Sequence, residues 1–184
     1  MPSFRKIMRE SLPTLAVVSS IQMITGLLLN SGIKLWVALP VLLMLIPQLN
    51  EYGNDVSCIV SSKVTTLLAL GLLKPEASLS PEAKKLVQMI VFFALTSLSY
   101  LAFVNMLAIW LFHGYTEFQL VFPVCLLAGI PLTVVITGLS FLIAYFAWRW
   151  GLDPDNLAIP VLTTISDVLG VVCLILAARA LGIA

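Results

Sequence analysis

Asp167 is a lone carboxylate inside an apolar stretch. Thr163, Thr164 and Ser166 sit just before it, Asp153-Pro154-Asp155-Asn156 opens the segment, and the apolar character continues to about Leu181. An acid that deep in hydrocarbon costs at least ~2.5 kcal/mol on insertion scales, so it needs a water-filled path or a partner. On a helix, Asp153, Asn156, Pro160, Thr163, Thr164, Asp167 and Gly170 fall within roughly 60° of one line. Leu157, Ile159, Leu162, Ile165 and Val168 take the other sides. Pro160 removes a backbone donor and so frees a carbonyl on the polar face. Freed carbonyls at membrane depth are tolerated where they line a cavity, and there they can bind cations. The pattern points to the wall of a cation path.

A second polar constellation, Asn50-Glu51-Tyr52-Gly53-Asn54-Asp55, interrupts another apolar run. Glu51 and Asp55 share a helical face. By helical rise, both constellations lie ~20–30 Å from the ends of their segments, so they can meet near mid-depth. Neither segment carries a Lys or Arg at matching depth, which argues for an external cation rather than a buried ion pair. The candidate ion-path residues are therefore Asp167, Thr163, Asn54, Asp55, Glu51, Asn156 and Asp153. Asp153 and Asp155 are equally placed to cap a helix start, where acids offset exposed N–H groups. The donors are all oxygen, and the one histidine, His113, stands apart. Hard oxygen ligands suit Mg²⁺, Ca²⁺ or Mn²⁺ better than Zn²⁺ or Cu⁺. Mg²⁺, which keeps several waters on few carboxylates, is the expected ion, with Mn²⁺, Co²⁺ and Ca²⁺ left open.

These residues need helices that cross a bilayer to position them. Of 184 residues, 60% are hydrophobic and 10% charged, and mean hydropathy is +1.08, against ~25% charge in soluble domains. The expectation is an all-α, polytopic membrane protein, one transmembrane domain over 1–184. A window of about 20 residues gives five spans, about 12–29, 35–60, 86–112, 119–148 and 156–181. The second apolar element, Leu35–Leu73, would be ~58 Å as one helix. It holds Pro40 and Pro47, so a kinked or broken helix is expected. The polar stretch 74–85 reads as a cytoplasmic loop, with Ser80-Pro81-Glu82 starting the next helix. The basic start (Arg5, Lys6, Arg9) leads into an apolar run too long for a cleavable leader, so the first span is retained.

Positive charge sets the orientation. With the N-terminus in the cytoplasm, only Lys34 and Arg179 lie outside; the C-terminus is then outside the cell membrane. Trp110, Tyr115, Trp148 and Trp150 fall at span ends, where aromatic belts belong. Cys58, Cys125 and Cys173 share no metal-ligand spacing and read as small hydrophobes. A net charge of +1 gives no nucleic-acid footprint, and no nucleophile–base pair suggests an enzyme. Asn105, Ser97 and Ser99 read as interhelical hydrogen-bonders; Gly129, Pro131, Thr133, Thr137 and Gly138 read as packing or kinking positions. One polar wall cannot enclose a pore alone. Closed two-fold dimers are the commonest assembly, so a pore at a homodimer axis within the lipid bilayer is expected.

The segment DPDNLAIPVLTTISDVLG resembles the matching segment of the MgtE magnesium transporter family and its eukaryotic solute-carrier relatives. LNEYGNDVSCIVSSKVTTLLALG is similar to that family's Gly-Asn segment. The resemblance implies five spans, a dimer, and a central pore lined by the second and fifth of them, with Asp167 as principal mid-membrane ligand and Thr163 lining the same site. Only Gly53 and Asn54 match the glycine-rich pattern of many bacterial members, and Asp55 is an extra acid. The cytoplasmic regulatory domains of bacterial members have no counterpart before Leu12, so the pore is expected to be leaky, self-regulated or coupled to another ion. Three functions follow: a channel-like Mg²⁺ transporter, a Na⁺- or H⁺-coupled exchanger using Asp55 or Glu51, and a non-transporting membrane scaffold.

Overall fold

The computed structural model describes residues 4–38, 40–72, 81–112, 118–151 and 154–182. They form five long helices and one short one: α1 (Phe4–Ser31), α2 (Ile33–Ala38), α3 (Pro40–Ala69), α4 (Pro81–Phe112), α5 (Phe118–Arg149) and α6 (Pro154–Ala180). The long second apolar element is described as helix on both sides of residue 39, which lies outside the described residues. Pro40 is the first described residue of α3. Pro47 is accommodated inside α3. α4 opens on Pro81 with Glu82 in its first turn, an acid favourably placed against the helix dipole. His113, Tyr115 and most of the 74–85 loop lie outside the described residues.

Helices α4, α5 and α6 are long and apolar enough to cross a membrane. α1 contains a shorter apolar stretch, Leu15–Ser31, and α3 carries Glu51, Asp55 and Lys63 together with a series of amide and hydroxyl side chains. The molecule is an all-α membrane domain of five long helices. At 30 residues, α3 is about 45 Å long, more than the ~30 Å of hydrocarbon.

Helices α3, α5 and α6 pack on one another and form the centre. Leu45, Leu49, Val60, Val64, Leu132, Ile136, Leu162 and Leu174 are fully buried between them and α4. α4 lies against α5 and, less extensively, α3; α1 lies against α6. Among the described residues α1 and α3 do not pack together. They flank α6 from two sides and leave a groove whose floor is α6. Side chains such as Val17, Met23, Leu27, Phe92, Phe103 and Val134 are exposed around the outside, as expected of a surface solvated by lipid.

Polar pairs join the helices inside this apolar frame. Gln48 of α3 and Asn105 of α4 exchange reciprocal amide bonds, Gln48 Nε2 to Asn105 Oδ1 at 3.1 Å and Asn105 Nδ2 to Gln48 Oε1 at 2.5 Å. Asn105 Nδ2 also donates to the Leu101 carbonyl at 2.8 Å. Tyr52 of α3 lies against Phe93 of α4, ring to ring. Its hydroxyl meets Thr133 Oγ1 of α5 at 2.5 Å, and that hydroxyl donates to the Gly129 carbonyl. Asn105 is therefore a helix-to-helix connector. Asn105→Leu should lower thermal stability in detergent by about 0.6–2 kcal/mol, the range of interhelical bonds in membranes. It should leave the cation concentration dependence of transport unchanged, as a titration of initial rates would show.

Candidate ion site

Helix α6 sits between α1, α3 and α5, and this changes the expected picture of it. Leu162, on the side set opposite the polar face, is fully buried, and Thr164 and Ser166 are buried as well. The polar residues of the helix are divided between buried positions, Thr164 and Ser166, and half-buried ones, Thr163 and Asp167. Thr163 and Thr164 both donate to the Pro160 carbonyl, at 3.0 and 2.9 Å. Their hydroxyl protons are thereby spent inside α6, while their oxygens keep lone pairs. The carbonyl that Pro160 leaves without its helical donor belongs to Asn156, one turn earlier.

Asp167 is half-buried at the floor of the groove. Gln22 of α1 donates from Nε2 to Asp167 Oδ2 at 3.4 Å. Asn54 of α3 engages the same carboxylate, and Glu51 is near enough to act on it through charge. None of the groups acting on Asp167 is cationic. The acid is partly accessible and not sealed. Two neutral amides hold it from either side, and another acid stands close by.

Glu51 and Asp55 are exposed, and Asn54 is half-buried. Glu51, Asp55, Ser62 and Thr66 lie within about 60° of one line along α3, and all four are exposed on the single chain. An ionised stripe of this kind is costly against hydrocarbon. Two of the oxygens nearest the floor are unsatisfied: Asn50 Oδ1 and Asn54 Oδ1 are buried without a hydrogen-bond partner, as is Ser166 Oγ.

The structure thus brings together Asp167, Asn54 and Glu51, with Asp55 one turn from Glu51 on the same face. Thr163 lies one turn before Asp167 on α6, half-buried. Asn156 belongs to the first turn of α6, but its side chain, and Asp153 altogether, lie outside the described residues. Among the described residues no three His, Cys, Asp or Glu side chains gather into a metal-holding group. One chain therefore offers a hydrated ion a carboxylate, amides and hydroxyls, and no closed cage. Gln22 was not legible as part of this site. It stands in the first span with no acid near it in sequence, and only the packing of α1 on α6 brings it to Asp167.

A helical membrane domain with an unneutralised carboxylate held by amides is built to handle cations. The family described as MgtE, divalent cation transporter, matches residues 46–177, most of α3 and all of α4 and α5, with nearly all of α6. The chain belongs to that family of divalent cation transporters. No curated protein matches the chain.

Proposed function

We propose that the chain carries Mg²⁺ across the cell membrane by a channel-like route, as a homodimer whose pore is lined by α3 and α6 of both copies. The observation that carries this reading is the half-buried Asp167, held by Gln22 and Asn54 beside Glu51, at the floor of a groove that one chain leaves open. A second copy laid over the groove would shield the stripe of Glu51, Asp55, Ser62 and Thr66 from lipid. It would also add a second Asp167. Two carboxylates around an ion that keeps its waters fit the habits of Mg²⁺. The N-terminus lies in the cytoplasm and the C-terminus outside. The inside-negative potential then drives entry at ~2.3 kcal/mol per charge per 100 mV. No residue set suggests catalysis, and the reading is of a transporter and not an enzyme.

Uptake into proteoliposomes under an imposed inside-negative potential tests this. Mg²⁺ should enter without any Na⁺ or proton gradient, ahead of Mn²⁺, Co²⁺ and Ca²⁺. Electroneutral uptake that stops when the Na⁺ or proton gradient is removed would replace the channel with an exchanger that uses Asp55 or Glu51. The dimer has its own test. The three native thiols are free, so a cysteine-free background with Asp55→Cys can be oxidised in the membrane. Disulfide-linked dimers should form at Asp55→Cys and not at a lipid-facing control such as Val134→Cys. Equal crosslinking at both positions would remove α3 from the interface.

A further inference from the structure

We propose that Gln22, on α1, is a positioning residue of the ion site, and that α1 is a third wall of the ion path beside α3 and α6. This rests on the reading of Asp167 as an ion ligand. Gln22 lies outside the residues matched by the family, which begin at residue 46.

Gln22 stands on α1 among Val17, Met23, Ile24 and Leu27, which are exposed to the surroundings. It leaves the lipid-facing side by reaching over α6 to Asp167 Oδ2. Among the described residues α1 packs on α6 and α2 and not on α3, so Gln22 and Asn54 grip the carboxylate from different sides. A carboxylate offers about four lone-pair directions. Two amide donors fix its orientation and leave the remaining directions toward the groove. The Gln22 side chain is exposed, so packing does not immobilise it. An amide carries an acceptor beside its donor. Gln22 can therefore hold Asp167 in place with N–H, or accept a hydrogen bond from a cation's water with Oε1. Thr25, one turn further along the same side of α1, has a buried hydroxyl without a partner, which extends the polar edge of this wall outward.

A mere tether between α1 and α6 and a positioning residue respond differently to charge. Initial rates of Mg²⁺ uptake are titrated in proteoliposomes for the wild type, Gln22→Leu, Gln22→Glu, Asp167→Asn and the double variant Gln22→Glu/Asp167→Asn. Gln22→Leu should raise KM about three- to tenfold with Vmax little changed. That is less than a full-strength bond to a charged group would give, since 3.4 Å is long. Gln22→Glu should lower KM for Mg²⁺, because a divalent ion can bridge two carboxylates. That gain should vanish in the double variant. Changes confined to Vmax, protein yield or melting, with KM unmoved, would overturn the proposal. Should Gln22→Leu fail to fold, Gln22→Glu decides: a KM equal to or above wild type overturns it. Wild-type protein without saturable divalent uptake, or Asp167→Asn titrating like wild type, would instead overturn the transport reading and this proposal with it.

Discussion

Asp167→Asn and Asp167→Ala should lose divalent uptake by at least about a hundredfold, the upper end of what even outer-shell ligand changes cost a metal site. The protein itself should persist. The carboxylate makes one long bond to Gln22 and an interaction with Asn54, and it sits beside Glu51, whose charge opposes its own. Asparagine keeps the shape and can still face both amides, so helicity and assembly should match the wild type. Asp167→Glu keeps the charge one methylene further out and should retain part of the activity with a raised KM. Uptake is measured in proteoliposomes at fixed protein content under an imposed potential. A transporter whose Asp167→Asn variant carries Mg²⁺ at the wild-type rate has its ion site elsewhere, and the groove between α1 and α3 would then be structural.

The division between what the chain's pattern reveals and what packing decides follows a physical line. The all-helical membrane character was open in the composition. Asp167, Asn54 and Glu51 stood out because charge and amide inside hydrocarbon are expensive whatever surrounds them. The surroundings of α6 did not stand out. A helix packed against protein carries the same Leu, Ile and Val as one facing lipid, because in a bilayer both environments are apolar. Leu162 and Thr164 are both buried despite standing in opposed sets on the helical wheel. Gln22 escaped for the converse reason: one amide in a span is affordable, and its meaning depends on which helix α1 packs against. Gly138 shows the limit of reading glycine as a packing position. A side chain there would meet nothing within 4 Å, whereas at Gly129 it would strike Leu98.

Gly53→Ala should be the most damaging small substitution in the chain, and a second change should reverse it. A methyl at Gly53 would land on the Ser166 hydroxyl and come to 3.3 Å from Leu132 Cδ2 of α5, at the junction of the three central helices. Gly170 of α6 makes the reciprocal approach, against the Asn50 amide of α3. Small residues of this kind let two helices come close enough for dispersion to hold them in lipid, where no hydrophobic force does so. Overpacking such a contact costs typically ~1–3 kcal/mol. Here it should also cost transport, because Asn54 follows Gly53 and Asp167 follows Ser166. Forcing the helices apart withdraws Asn54 from the carboxylate. Ser166→Gly removes the atom struck, and its own hydroxyl has no hydrogen-bond partner to lose. Gly53→Ala/Ser166→Gly should therefore recover most of the melting temperature and most of the uptake, leaving only the modest adjustment at Leu132. Gly138→Ala is the control, expected to be neutral or slightly stabilising, since glycine inside a helix costs ~0.5–1 kcal/mol relative to alanine. Melting in detergent and uptake in proteoliposomes, followed for the two single variants and the pair, give a coupling energy between the positions. A Gly53→Ala protein as stable as Gly138→Ala, or a pair no better than Gly53→Ala alone, would mean that α3 and α6 do not meet at these residues, and the route from Asn54 to Asp167 would have to be drawn differently.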